Sequence, residues 1–371
     1  MARLSDQEDL IQDALELAIT GLLETSPNPR VGCVIVSPKR HILGQGRTQR
    51  AGGPHAEIMA LRDAADKGYS VQGATAYVTL EPCSHHGRTG PCCDALIAAG
   101  IKKVVASIAD PNPLVGGRGF ERLRAAGIEV VVGPGAAQSR ELNIGFFSRM
   151  IRKTPWVRMK IAASLDGKTA LNNGASQWIT SDTARGDGHA WRARSCAALT
   201  GIGTVLADNP RLDVRMVSTP RQPTLVVVDS RLETPLDAHL FIAGRALLIY
   251  AAAKNDVKKA ALETLGATVI HLPDAHGKVD LAAMLRDLAA REINELHVEA
   301  GPRLNGSLMR EGLVDELLVY LAPKLIGEGR DMAQFGPLDE LTQAVQLEMR
   351  STEMLGPDLR VLARVRGRDL F

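Results

Sequence analysis

Aromatic residues are scarce in this 371-residue chain, whose six Phe, four Tyr and three Trp make up 4% of it. Its core must therefore rest on aliphatic packing. It also lacks the stripe of basic and aromatic residues on which nucleic-acid binders stack bases. Neither sign of charge dominates: 44 Lys+Arg face 42 Asp+Glu, for a net +2. That balance excludes a strongly basic nucleic-acid binder and an acidic disordered tail. It leaves room for a local basic pocket that takes a phosphorylated small molecule. Long apolar runs are absent too. The longest, Ala246 to Ala253, has eight residues, where ~20 are needed to span a bilayer. Near the N-terminus, Asp6, Glu8, Asp9 and Asp13 occupy the stretch where a signal peptide needs apolar residues. The expectation is a cytoplasmic protein with neither membrane nor nucleic-acid partners. The five cysteines, Cys33, Cys83, Cys92, Cys93 and Cys196, are odd in number and clustered. They make a poor disulfide framework and suit metal binding in a reducing compartment better.

What is present is ordinary for a globular protein: 45% apolar and 23% charged residues. At about 150 residues per domain, the length suggests two or three domains. A basic, Pro-terminated connector within Glu141 to Val157 divides the chain into 1–148 and 156–371. The first block reads α–β–β–α–β–α–β. Apolar residues recur at helical period over Asp6 to Leu23, and a helix runs between Pro54 and Gly68. The second block opens on the strand Trp156–Ser164 and ends on another, Asp358–Gly367, with strands and helices alternating between them. Both blocks are α/β.

The first block carries His55, Glu57, Cys83 and Cys92 in the order His-x-Glu, Pro-Cys, Pro-Cys. A catalytic zinc takes three soft ligands and keeps one position open. His55, Cys83 and Cys92 supply three, and Glu57 is near enough to serve a water without ligating. Both His55 and Cys92 follow a proline at a helix start, where the helix dipole favours negative charge. A closed structural site with Cys93 as fourth ligand is the alternative. Successive helical residues point about 100° apart, which sets Cys92 and Cys93 against sharing one ion. Zinc deaminases carry H-x-E followed by P-C-x-x-C. This chain departs from that spacing, with SHHGRTGP between Cys83 and Cys92.

The second block has no G-x-G-x-x-G after its first strand, which weakens a Rossmann reading. It has instead EAGPRLNGSLMREG from Glu299 to Gly312, a strand end, a glycine turn and a helix start. Such a turn offers backbone N–H groups to a pyrophosphate. A purely structural turn before a helix is the alternative.

The segments TSPNPRVGCVIV, GGPHAE, TLEPCSHHGRTGPC and DPNPLVGGRGFERLRAAGIEV resemble the N-terminal half of the bifunctional riboflavin-biosynthesis deaminase–reductases. MKIAASLDGKTA, GASQWITS, TGIGTVLADNPRLDVR, VVVDSRL and EAGPRLNGSLMREGLVDELLVYLAPKLIG resemble the C-terminal half. The family usually reads TPPC where this chain has TGPC, a difference on the loop and not on a ligand. The resemblance implies a cytidine-deaminase-like three-layer domain followed by a dihydrofolate-reductase-like domain. It implies zinc on His55, Cys83 and Cys92, with Glu57 as proton shuttle. The implied substrate is 2,5-diamino-6-ribosylamino-4(3H)-pyrimidinone 5′-phosphate, and Asn28, His85 and Arg88 are candidates to hold it. In the second half the resemblance implies NADPH on Ala162, Trp178, Thr204, Asp208, Ser230 and the run Gly301, Pro302, Arg303, Leu304, Asn305, Gly306 and Ser307. It implies a sugar phosphate on Ser176, Arg192, Leu212, Arg215 and Glu299. Arg192 and Arg215 are the types that clamp a phosphate bidentately, Gly301 and Gly306 allow close backbone approach, and Lys160 and Asp208 are candidates for proton relay. A homodimer or homotetramer is implied as well. Two other readings stand beside this one: a nucleoside or nucleic-acid deaminase with an unrelated appendage, and a structural zinc module carrying a nucleotide-sensing domain.

Overall fold

The computed structural model describes residues 2–85, 90–113 and 115–371, and the side chains from residue 8 onward within them. The chain divides into two compact units, Met1–Lys153 and Thr154–Phe371. In chain order the first unit has α1 (Ala2–Thr20), β1 (Gly32–Val36), β2 (Ile42–Arg47), α2 (Ala56–Asp66), β3 (Thr75–Val78), α3 (Cys92–Ala98), β4 (Lys103–Ala106), α4 (Arg118–Ala125), β5 (Glu129–Val132), α5 (Ala136–Leu142) and α6 (Ile144–Arg152). Its sheet runs β2-β1-β3-β4-β5, antiparallel up to β3 and parallel beyond.

Alternate strand residues face opposite sides, and this assigns the layers. Val34, Tyr77 and Val105 pack on Ile11, Ala14 and Leu15 of α1. The opposite face carries Gly44 and Gly46, which pair with Ile35 and Cys33, and it receives α2. A Cβ on Gly44 would lie 2.2 Å from the Ala60 carbonyl oxygen, and one on Gly46 2.5 Å from Met59 Cβ. The glycines let α2 come down onto bare backbone. The helix answers with Ala56, Ala60 and Ala64, all buried and one turn apart. It stops at Gly68, whose φ of +74° only glycine adopts at low cost.

The second unit has β6 (Trp156–Ser164), β7 (Lys168–Leu171), α7 (Asp182–Arg194), β8 (Ala197–Gly201), α8 (Ile202–Asp208), β9 (Thr224–Val228), β10 (Leu247–Ala251), α9 (Asp256–Thr264), β11 (Ala267–His271), α10 (Leu281–Ala290), β12 (Glu295–Val298), α11 (Pro302–Arg310), β13 (Glu316–Ala322), β14 (Gly329–Asp331), β15 (Leu347–Leu355) and β16 (Asp358–Val365). Nine strands form one sheet in the order β11-β10-β9-β8-β12-β6-β13-β16-β15. It is parallel from β11 to β13 and closes with the antiparallel β13–β16–β15 edge.

The two faces of its central strands differ sharply. Val157, Met159, Ile161, Leu296 and Val298 share one apolar cluster with Met284, Leu285 and Leu288 of α10 and Leu308 of α11. Each buried aliphatic side chain there contributes about 1.5–3 kcal/mol. The alternate residues Arg158, Lys160, Glu295 and His297 form a polar face, in register as His297↔Arg158 and Glu295↔Trp156. Arg158 is fully buried and bonds Glu316 at 2.6 Å and Glu295 at 3.1 Å, its guanidinium stacked 4.5 Å from the Trp191 ring of α7. The α/β expectation holds in both units. Unforeseen were the β7–β14 arm and the long, exposed β15.

Candidate active sites

In the first unit the α2–β2 seam aims His55. This residue is the extended N-cap of α2, with φ −77° and ψ 169°, and its ring makes no cap hydrogen bond. Its Nδ1 lies 3.5 Å from Cys83 Sγ and 3.4 Å from Cys92 Sγ. All three donor atoms lie within 4.8 Å of one another. A tetrahedral zinc with Zn–S of about 2.3 Å and Zn–N of about 2.05 Å separates sulfur from nitrogen by about 3.6 Å. The donor set and its spacing fit that ion.

Cys92 opens α3, and its backbone N–H donates to Cys83 Sγ at 3.3 Å. The hydrogen bond from the Cys92 thiol, helped by the His55 ring and that N–H, holds the Cys83 thiol well below its usual range. Cys92 is pushed the other way by sharing that hydrogen bond and by burial. Glu57, 3% exposed, is pushed up to about 7 by burial and then by the charge on Cys83.

Cys93 takes no part in the cluster. Its thiol faces the carbonyl oxygens of Pro82 at 3.2 Å and Gly119 at 3.5 Å. Among the described residues the metal-ligating group is His55, Cys83 and Cys92 alone. The four-ligand alternative therefore fails on geometry. Asn28 is half-buried and His85 exposed, both on loops, and Arg88 lies outside the described residues.

Two residues that sequence reasoning missed hold this unit's loops. Asn143 receives the Arg30 N–H at 2.7 Å and donates to the Arg30 carbonyl at 2.9 Å, tying the segment before β1 to α6. Glu81 is buried and bonds four backbone N–H groups of the segment from Asp110 to Phe120. Glu81 stands two residues before Cys83 in the Glu-Pro-Cys motif, which was the available signal.

In the second unit Glu299, just past β12, is the hub. Arg192 of α7 grips it with Nε at 2.5 Å and Nη2 at 2.9 Å, Lys160 of β6 stands 3.8 Å away, and His297 Nε2 3.5 Å. Desolvation works to raise the Glu299 carboxyl, but Arg192, Lys160 and His297 together hold it well below the usual range. Burial lowers Lys160 and takes His297 down to about 3. His297 was not singled out from sequence. Its signal was strand alternation, since a residue two before Glu299 shares its face.

Arg192 does not present a free fork to a phosphate. Two arms hold Glu299 and the third donates to the Asp213 carbonyl at 2.5 Å. Arg215 keeps a half-exposed guanidinium, steadied on Asp213 at 2.8 Å, and Arg211 flanks the same carboxylate at 2.9 Å. Between them Leu212 is buried in a left-handed conformation with φ +49°, beside the Asp213 carbonyl that meets Arg192 and the Arg215 N–H that meets His189 Nδ1 at 3.3 Å. Asp208 ends α8 and is exposed, and the partner of Lys160 is Glu299.

The run from Gly301 to Ser307 divides in two. Gly306 faces the chain itself, because a Cβ there would sit 1.9 Å from the Gln334 carbonyl oxygen. Asn305 donates to the Met332 carbonyl at 2.9 Å, and Leu304 packs over Gly201. The close approach expected at Gly306 thus serves the 332–334 segment. The open part is the first turn. The neighbouring parallel strands β8 and β12 run into α8 and α11 through Gly201 and Gly301, and neither helix has a side-chain cap. A Cβ on Gly301 would lie 3.8 Å from Thr204 Oγ1. Two uncapped helix starts meeting across bare glycines fit the pyrophosphate of a dinucleotide. Ser230 lies in the turn just past β9, with its hydroxyl taking the Val279 N–H at 3.2 Å. Trp178 is 59% exposed under the Arg185 guanidinium at 4.2 Å, and Ser176 is half-buried two residues before it. Ala162 is half-buried on β6.

Two family models match the chain. One is a cytidine and deoxycytidylate deaminase zinc-binding region over residues 4–108, the other a RibD C-terminal domain over 155–361. The riboflavin biosynthesis protein RibD of Escherichia coli is 46% identical over 360 residues, covering 93% of this chain and 96% of that protein. The same-named protein of Aquifex aeolicus is 42% identical over 346 residues, covering 93% and 95%. Among solved structures, RibD from Acinetobacter baumannii superposes with a TM-score of 0.88 at 39% identity, covering 97% of this chain and 99% of the other. A diaminohydroxyphosphoribosylaminopyrimidine deaminase/5-amino-6-(5-phosphoribosylamino)uracil reductase from Thermotoga maritima gives 0.87 at 33% identity, covering 98% and 99%.

Proposed function

The chain belongs to the RibD family of bifunctional deaminase–reductases of riboflavin biosynthesis, and from that premise we propose which of its residues perform the two steps. The deaminase half binds zinc and the reductase half uses NADPH. When bound, the ion supplies the Lewis acidity that activates water, and NADPH supplies hydride. The first substrate is a diaminohydroxyphosphoribosylaminopyrimidine, and its deaminated product, 5-amino-6-(5-phosphoribosylamino)uracil, is the second.

His55, Cys83 and Cys92 hold the ion. Glu57 takes one proton from the attacking water and passes it to the ring nitrogen, then takes the second from the newly bound hydroxyl and passes it to the amine, which leaves as ammonia. Its buried position beside both thiols keeps the carboxyl near the range where it can do both. The convergence of three soft donors with one buried, non-ligating carboxylate carries this reading.

In the second half, the first turns of α8 and α11 take the dinucleotide, with Thr204, Ser230, Trp178 and Ala162 along its length. Arg192 fixes Glu299 for the opened sugar. Arg215, with Arg211 beside it, takes the phosphate. Lys160, lowered by burial and facing Glu299, holds the proton that accompanies hydride transfer to C1′. A homo-oligomeric enzyme of the cytoplasm completes the reading, to be checked by light scattering and cell fractionation.

One experiment tests the assignment. With the diaminopyrimidine nucleotide and NADPH supplied together, ammonia and NADPH absorbance are followed in parallel. Glu57→Gln should lose ammonia release by about 10²–10⁴-fold. It should keep its zinc and still reduce the deaminated substrate. Deamination near the parental rate would remove Glu57 from the mechanism.

A further inference from the structure

We propose that Glu81 is a positioning residue for deamination, holding Asp110 and the residues from Gly117 to Phe120 against the Cys83 turn, as one wall of the pocket. The proposal rests on the deaminase reading of the first unit. Glu81 is 4% exposed, and its carboxylate faces backbone N–H groups, with no ion pair among the described residues. Oε2 accepts the N–H groups of Asp110 at 3.0 Å and Gly117 at 2.9 Å, and Oε1 those of Gly119 at 2.8 Å and Phe120 at 3.4 Å. One side chain thus gathers Asp110 and the residues from Gly117 to Phe120. An ionised carboxylate offers about four acceptor sites, and here each is matched by a backbone donor.

The seam is tight on both sides of the turn. A Cβ on Gly119 would lie 2.2 Å from the Pro82 carbonyl oxygen and 2.9 Å from Glu81 Oε1. The next helix is also tied to this turn, since Arg122 donates to the Ser84 carbonyl at 3.1 Å and pairs with Asp94 of α3 at 2.6 Å. Asp110 is half-buried, with its own carboxylate taking the Asn112 N–H at 2.8 Å.

The metal donors are held by other bonds. The α2–β2 seam sets His55. The Cys92 N–H reaches Cys83 Sγ at 3.3 Å, and the Cys93 N–H reaches the Cys83 carbonyl at 3.2 Å. Loosening these residues should therefore move the wall facing the substrate while the ligands stay.

Glu81→Gln keeps the shape but turns an amide group toward donors that have lost their acceptor. We expect the deaminase KM of the full chain to rise about ten-fold or more with kcat within about three-fold. Zinc should stay at the parental stoichiometry and reductase kinetics should not change. Amide exchange should quicken at Asp110, Gly117, Gly119 and Phe120. Gly119→Ala presses on the same seam from the other side with Glu81 intact, and should reproduce the KM rise. A KM within two-fold of the parent in both variants overturns the proposal, and so does loss of zinc together with kcat, which would make Glu81 a support of the metal site. The parent's own ammonia release tests the deaminase reading separately, and its absence would fail that reading before any variant is compared.

Discussion

Replacing Arg192 by Met removes the cation that keeps Glu299 charged inside the second unit. The structure sets the size of the effect. Arg192 makes two bonds to Glu299, at 2.5 and 2.9 Å, with side-chain exposures of only 9% and 13%. Taking one partner from a buried ion pair costs about 3–5 kcal/mol. Lys160 stays 3.8 Å from Glu299 and offsets part of this, so about 3 kcal/mol is expected. The double variant Arg192→Met/Glu299→Gln should recover more than about 1 kcal/mol, because no buried charge is then stranded. All three tryptophans, Trp156, Trp178 and Trp191, lie in this unit, so urea unfolding followed by Trp fluorescence reports on it alone. The pH dependence has a definite sign. The folded carboxyl of Glu299 is held below its ordinary value, so its stabilisation is complete above the unfolded pKa of about 4.3 and is lost as pH falls through the folded one. The gap between parent and variant should be widest near neutrality and narrow below about pH 4. A loss under about 1 kcal/mol at pH 7, or a gap that does not narrow in acid, would refute the argument.

Two further substitutions probe the first unit. Cys93→Ala should leave zinc content and ammonia release intact and cost only about 1 kcal/mol for its contacts to Pro82 and Gly119; metal loss measured by elemental analysis would bring back a closed, four-ligand site. Gly46→Ala sets a methyl 2.5 Å from Met59 Cβ and 2.6 Å from Ala60 N. It should destabilise the unit by about 1–3 kcal/mol and depress deamination while reduction continues. Equal deaminase rates in that variant and the parent would show that the α2–β2 seam does not place His55 and Glu57.

Local sequence determined much of this protein. Prolines and glycines at 54, 68, 91 and 100 bracket two helices because they act on the backbone wherever they stand. The order His-x-Glu, Pro-Cys, Pro-Cys picked out the three side chains whose donor atoms converge, because thiolate and imidazole are the side chains whose chemistry suits zinc. Alternation likewise marked Asp358–Gly367 as a strand, and β16 runs from Asp358 to Val365.

What sequence could not decide is which groups are already spoken for. The guanidinium of Arg192 has the chemistry of a phosphate clamp, and only packing shows that Glu299 and the Asp213 carbonyl occupy it. Gly306 could have bared backbone to a cofactor, yet the Gln334 carbonyl lies against it. Cys92 and Cys93 are chemically alike, and it is the rotation of one helical residue that sends one sulfur toward His55 and the other toward Pro82. Glu81 draws its significance from a segment that begins 29 residues further along the chain. Hydrogen-bond and ion-pair saturation depends on the folded neighbourhood, and so on contacts that the order of residues along the chain does not contain.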